Sequence, residues 1–406
     1  MSRGSVSDAQ AGPAARRPRL VVVSAIGVAQ ILAWGSSYYL PAVLAKPIAA
    51  DTGWPLAWVV GSLSIGLLVS GLVSPRVGHL IERRGGRPVL AASAVLLACG
   101  LLAVGIAPML PVFVAAWVVI GFGMGAGLYD PAFSALGRLY GENARSAITQ
   151  VTLFGGFSST VCWPLTAFLA AHLGWRGTCL TYAGILIAVV LPLYLLGLPH
   201  EVERAPQESS TSNTLPGQVR PEQRAAFVLL AAGFTLAYGI MTIVAVHLLT
   251  LLQDRGLALA AAVGLGALIG PSQVGGRVLE MTFGRTAHPI WSLLASSMLV
   301  AVGLGMLIGT PRAAVACIVL YGMGSGIRSI ARGTVPLAMF GREGYAILMG
   351  RLSLPTLLAT AAAPMVGAWL LGWVGPTGTL AVLCGAAVLH VALVLPLLPV
   401  ALRRAT

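Results

Sequence analysis

One carboxylate and four arginines stand inside stretches of this 406-residue chain that otherwise carry almost no charge: Asp130, Arg277, Arg328, Arg332 and Arg351. Placing such a group in apolar surroundings costs about 2.5–3.5 kcal/mol on insertion scales, so each is a candidate for function. Asp130 follows a glycine run and precedes Pro131. A carboxyl group held among apolar neighbours can exchange a proton near neutral pH, and the expected role of Asp130 is proton coupling; a permanent ion pair is the competing reading. Arg328 and Arg332 are four apart and share one helical face, and a guanidinium fork suits a carboxylate. They are the expected substrate contacts, against the plainer reading that both snorkel to water. Arg277 and Glu280, three apart near the end of an apolar run, read as a local pair and gating contact, and Arg351 as structural. Gln30, Trp34 and Tyr38 recur at i, i+4 and i+8, which makes one face with polar tips of the kind that lines small-molecule sites.

The elements that must position these groups are membrane-spanning helices. Hydrophobic residues make up 57% of the chain and charged residues 9%, and the mean hydropathy is +0.88. About a quarter of the residues in a soluble domain are charged, so most of this surface must face lipid. Roughly 20 apolar residues cross a bilayer as a helix. The apolar runs fall near 20–45, 55–77, 88–108, 110–136, 145–172, 178–198, 225–252, 257–281, 289–309, 312–337, 345–371 and 377–400. None shows the alternation of a barrel strand. The expectation is an all-α membrane protein of twelve transmembrane helices, with a tail at 1–19, a six-helix bundle at 20–198, a polar linker at 199–224, a second bundle at 225–400 and a tail at 401–406. The formal charge of +13 is distributed along loops: 17 of the 25 Lys and Arg fall on one side, four on the other and four within spans. The positive-inside rule then places both termini in the cytoplasm of an inner-membrane protein.

The two halves repeat. Gly78-x-x-x-Glu82-x-x-x-Gly86-Arg87 returns as Gly276-x-x-x-Glu280-x-x-x-Gly284-Arg285, 198 residues later. Gly123-Met124-Gly125-Ala126-Gly127 returns as Gly322-Met323-Gly324-Ser325-Gly326, and Gly174-Trp175 as Gly372-Trp373. Internal repeats of this kind build transporters with the substrate site between the halves. In the repeat Tyr129 aligns with Arg328, so Asp130 is expected to face Arg328 from the opposite half, where a substrate anion would compete for it. Tyr129 joins the candidate substrate contacts, as does Tyr238, the approximate repeat mate of Trp34; His247 is a further candidate.

The segment Gly78-His79-Leu80-Ile81-Glu82-Arg83-Arg84-Gly85-Gly86-Arg87 resembles the signature between spans two and three of the major facilitator superfamily, with Glu82 where Asp is commoner. The resemblance extends over span count, linker and repeat. It implies two pseudo-symmetric six-helix bundles, with spans 1, 4, 7 and 10 lining a central cavity. Tyr39-Leu40-Pro41 leading to Gly53-Trp54, then Ser74-Pro75-Arg76-Val77-Gly78 and Gly174-Trp175-Arg176, resemble the monocarboxylate and oxalate/formate branch. That likeness implies transport of small organic acids, with Arg277 nearest to the branch's Asp/Arg pair in span eight. Gly78, Glu82, Arg83 and Arg87 form the expected gate, in which Glu82 docks at the positive N-terminus of a neighbouring helix, that of span eleven, in one state only. Glu82→Ala should therefore change transport rate and leave substrate affinity largely intact; a large affinity loss with normal folding would count against the latch.

Several classes are excluded. The six histidines and five cysteines have no metal or redox spacing, and no clustered nucleophile or acid/base pair suggests an enzyme. The glycine runs lie in apolar helices with no strand before them, unlike a nucleotide fingerprint. Lys46 is the single lysine, so no phosphate-loop lysine is available for an ATP-driven pump. Basic residues do not interleave with aromatics, so no nucleic-acid partner is expected. No cofactor or metal is expected. The partners are a small organic anion, a monocarboxylate among the possibilities, protons and membrane lipid, acting on a monomer. An alternating-access carrier is the leading reading; a proton-driven efflux carrier for amphipathic compounds and a non-transporting receptor are the alternatives.

Overall fold

A computed structural model describes residues 17–201, 219–309 and 314–402. Most of the N-terminal tail, linker residues 202–218, Arg312 and the last four residues lie outside the described residues, and with them Arg3, Arg16, Arg204, Arg403 and Arg404 of the charge count. In chain order the first half comprises α1 (Arg19–Ser36), α2 (Leu40–Thr52), α3 (Leu56–Arg84), α4 (Gly86–Ile106), α5 (Leu110–Gly127), α6 (Tyr129–Tyr140), α7 (Ala144–Gly156), α8 (Ser158–Ile185) and α9 (Leu191–Gly197). The second comprises α10 (Arg224–Asp254), α11 (Leu259–Ala267), α12 (Ile269–Phe283), α13 (Pro289–Gly309), α14 (Ala314–Phe340), α15 (Tyr345–Val394) and α16 (Leu397–Leu402).

Nine segments among the described residues are long and apolar enough to cross a membrane. Two of them double back. The run Ala144–Gly197 turns at Gly174 (φ 68°) and the run Tyr345–Leu402 turns at Gly375 (φ 71°). Both glycines occupy a left-handed conformation closed to most side chains. The eighth crossing is divided between α11 and α12, which completes twelve. Gly372 is therefore not the turn mate of Gly174. The turn falls three residues later, before Pro376, because a residue preceding proline is disfavoured in the α region.

The repeat is visible as packing. Neighbouring helices leave no room for a side chain at the glycines of either run, and alternate glycines face the two preceding crossings of their own half, with the order of the two exchanged between the halves. Gly125 lies against Ser70 and Val73 of α3 and Gly123 against Leu97 of α4, while Gly322 lies against Ser272 of α12 and Gly324 against Ser296 and Val300 of α13. Between the halves, α15 runs along α3, and α7 packs on α12 and α14. Large apolar side chains such as Phe168, Met365, Trp369 and Trp373 stay exposed on the outside, as a lipid-facing surface requires.

One asymmetry positions the site. Leu128 leaves the helix (φ −77°, ψ −160°) and splits the fourth crossing into α5 and α6, whereas the tenth crossing, α14, continues unbroken. Asp130 consequently sits in the first turn of α6, where the exposed N–H groups and the helix dipole favour a carboxylate.

Candidate functional site

Asp130 and Arg332 form a two-pronged ion pair between the halves. Arg332 Nε donates to Asp130 Oδ1 at 3.0 Å and its Nη2 to Oδ2 at 2.9 Å. Ser353 Oγ donates to the same Oδ2 at 2.5 Å, and Arg332 Nη1 donates to Thr356 Oγ1 at 2.9 Å. Ser353 and Thr356 are buried on α15. The guanidinium also lies 5.1 Å from the Phe234 ring centre and 5.2 Å from that of Tyr238, within cation–π range. The partner of Asp130 is thus Arg332 and not Arg328, a correction of one helical turn. The break at Leu128 separates span four from its unbroken repeat mate, so aligned positions do not meet face to face.

Arg328 is left without an acid. It is 1% exposed, its Nη2 donates to Ser325 Oγ at 3.2 Å, and its buried Nη1 has no hydrogen-bond partner among the described residues. Tyr321, Tyr238 and His390 are among its titratable neighbours, and its guanidinium stands 5.8 Å from the Tyr238 ring centre. Arg277 repeats the pattern. At 6% exposure, its Nε donates to Ser329 Oγ at 3.0 Å and its Nη1 is also unpartnered. That atom lies against Gly156 of α7, so the head group crosses from the second half into the first. Arg277 is not a local partner of Glu280. Gly156 leaves space for the guanidinium at the centre, while Glu280 is drawn away by partners one turn nearer the end of α12.

An aromatic wall closes the first-half side. Ring centres of Trp34 lie 5.0 Å from Tyr129, 5.3 Å from Tyr38 and 6.1 Å from Tyr39, and Tyr39 lies 6.0 Å from Trp163. Tyr38 lies beside Thr242 of α10, and Tyr129 places its hydroxyl against Gly155. Gln30 departs from its expected role as a lining residue. It is fully buried, its Nε2 donates to Gly127 O at 2.7 Å, and its Oε1 accepts from Trp34 Nε1 at 3.1 Å. Gly127 ends α5, and its carbonyl needs an outside donor. Gln30 repairs that break and holds Trp34 in place. His247 is engaged with Pro364 O at 3.1 Å.

The gate lies on the face carrying the α3–α4 and α12–α13 turns. Arg145 of α7 donates to Gly284 O at 2.6 Å and Ala287 O at 2.7 Å across the halves, and lies 3.6 Å from Glu280 Oε1. Ser292 Oγ donates to Glu280 Oε1 at 2.6 Å. Gly78 lies against the backbone of Ala346 and Ile347, Gly350 against Ser74 and Pro75, and Tyr345 covers Gly137. A crevice of about 10 Å³ between Ser74, Asp130 and Ser353 has room for one water at most, so this face is shut. Among the expected gate residues, Arg83 is exposed, and Arg87 Nη2 donates to Leu195 O at 2.6 Å. The backbone carbonyl of Glu82 accepts from Arg138. The sequence reading missed three residues: Arg145, Arg138 and Glu201. Glu201 accepts from Gly86 N at 2.9 Å and pairs with Arg138 Nε at 2.5 Å, thereby tying the start of the linker to α4 and α6. Its only signal in the sequence was its position, just beyond the sixth apolar run.

This arrangement, a pair of six-helix halves meeting at buried charges, is that of a membrane transporter. Residues 26–327 match the family described as the Major Facilitator Superfamily; the chain belongs to it. Among curated relatives it is similar to monocarboxylate transporter 11 of Mus musculus, 27% identical over 338 residues that cover 81% of this chain and 67% of that one. It is 28% identical to monocarboxylate transporter 13 of Bos taurus over 67% of this chain and 64% of that one. An uncharacterized MFS-type transporter of Bacillus subtilis, YcxA, is 26% identical over 52% of this chain and 53% of its own. The chain thus spans between about half and two thirds of the length of these relatives. Its fold is shared with the human organic anion transporter MFSD10 (TM-score 0.72, 15% identity, 93% and 100% of the two chains). The fucose transporter FucP in the outward conformation gives 0.73, with 13% identity over 96% and 99%.

Proposed function

We propose that this transporter carries a small organic anion by alternating access, coupled to protons. The observation that carries the reading is Arg328, a buried guanidinium with an Nη1 that no described residue accepts from and a single serine hydroxyl as its side-chain hydrogen-bond partner. A buried charge persists where something pairs with it, and no carboxylate among the described residues does so. A substrate carboxylate fits the fork. Three central guanidiniums against one carboxylate also argue against a cationic drug as cargo. The names of the monocarboxylate relatives favour a carboxylate over other anions.

Coupling follows from the Asp130–Arg332 pair. A proton on Asp130 releases Arg332 and adds a positive charge beside the substrate. Proton and anion then favour each other's binding, and that favour is reciprocal. Closure of the face bearing Arg145 and Tyr345 sets the other face as the entry route in this state, and exchange of the two closures moves the cargo across.

The test is uptake of labelled small carboxylates into proteoliposomes at two external pH values. Arg328→Gln should cut uptake by about 100-fold or more, the scale of a lost charge-assisted buried contact, with an unchanged elution profile. Wild-type-like uptake by a folded Arg328→Gln protein defeats the assignment, and uptake indifferent to the pH gradient defeats the role of Asp130.

A further inference from the structure

Counting the central charges gives more than one anionic contact. Arg332 is consumed by Asp130 through both of its prongs. Arg328 and Arg277 are each held by one serine hydroxyl, Ser325 and Ser329, one turn apart on α14. Each has a buried Nη1 with no hydrogen-bond partner among the described residues, and both are more than nine-tenths buried. They reach the centre from different elements, α14 and α12. Tyr238 lies within the electrostatic reach of both, together with Arg332 and Asp130. His390 is a further titratable neighbour of Arg328 and contributes no negative charge.

We infer that the cargo carries two anionic groups, one received by Arg328 and the other by Arg277. This rests on the organic-anion reading above and narrows it to dicarboxylates. A monoanion bound at Arg328 leaves the Arg277 charge buried without compensation, the situation that low-dielectric surroundings penalise most. A dianion closes the balance, and each carboxylate meets a guanidinium that a serine has already oriented. The second contact lies where Arg277 Nη1 abuts Gly156, at the seam between halves, so that an occupied site bridges both bundles.

The experiment sets dicarboxylates against their monoamides of equal length: malonate and malonamate, succinate and succinamate, glutarate and glutaramate, adipate and adipamate. Each competes for counterflow in proteoliposomes holding the full chain, and each is added to purified protein in a thermal-shift assay. For the dicarboxylate that fits the span, half-inhibition is expected at roughly tenfold or more below its monoamide. Arg277→Gln should collapse that ratio towards one, and Arg277→Lys, which keeps the charge, should retain part of it. Ratios at or below one in every pair, with the monoamides still competing, overturn the dianion and leave the anion reading standing. If neither series competes or shifts melting, both fall. A preference for dicarboxylates that Arg277→Gln leaves intact in folded protein also overturns the assignment, because the second carboxylate is then held elsewhere.

Discussion

Arg332→Gln should lower the melting temperature of the purified protein more than any other single change in the centre, and Asp130→Asn made in the same chain should recover much of the loss. Removing Arg332 strands Asp130, 17% exposed in its side chain, with Ser353 Oγ as its remaining donor. Breaking a buried pair by deleting one partner costs about 3–5 kcal/mol, whereas replacing both partners is often near neutral. In the double variant, two amides stand where the ions stood, and both can bond to Ser353 and Thr356. The difference between single and double variants is a coupling energy that isolates the pair. The same double variant separates structure from mechanism. With no group to take the proton, it should exchange labelled anion for unlabelled anion across the membrane yet fail to accumulate anion against a gradient when the outside is acidified. Equal melting losses in the single and double variants would mean that the pair is incidental. Acid-driven accumulation by the double variant would move proton coupling to another group.

The architecture was legible because lipid imposes it. Twelve apolar runs, a polar interval near the middle and glycine runs repeated at one offset leave few arrangements open, and most crossings fall within a few residues of the runs, although the first and second extend further, to Thr52 and Arg84. The charged residues that the fold brings together at the candidate site were legible in the sequence, and their pairings less so. Asp130, Arg277, Arg328 and Arg332 all reach the centre, as their cost in an apolar helix suggested. Which arginine meets Asp130 depends on one turn, about 5.4 Å along a helix, and Leu128 decides it by unwinding span four where span ten stays straight. No periodicity announces that break. Gln30 had the spacing of a cavity residue but serves the carbonyl that the same break exposes. Gly372 had the repeat's offset, yet Pro376 moves the turn to Gly375. In each case a local backbone departure, invisible to hydropathy, redirected a position that the sequence pattern had marked. Glu201 and Arg145 escaped notice for another reason. They lie at helix ends, where charges are expected anyway, and their contacts across long separations in sequence give them their meaning.

Gly78→Val should push the protein out of the state in which the Arg145 face is shut. Gly78 meets the backbone of Ala346 and Ile347 where α3 crosses α15, and backbone, unlike a flexible side chain, cannot swing aside. Overpacking of this kind costs about 1–3 kcal/mol. Applied to one state alone, that shifts a two-state equilibrium by roughly 5–150-fold. The opposite state separates these surfaces and carries no such penalty, so the variant should remain folded. Spin labels on Leu80→Cys of α3 and Glu343→Cys beside α15, both at exposed positions, should report a longer-distance population that the parent lacks. Transport should slow because the return to this closure becomes the difficult step. Gly350→Val, which meets Ser74 and Pro75 on the same crossing, should act in the same direction. Gly184→Val, a helical glycine with open space at its Cβ, should leave the distance distribution as it was. An unchanged distribution in Gly78→Val would show that α3 and α15 part company elsewhere, and that their bare crossing serves packing alone.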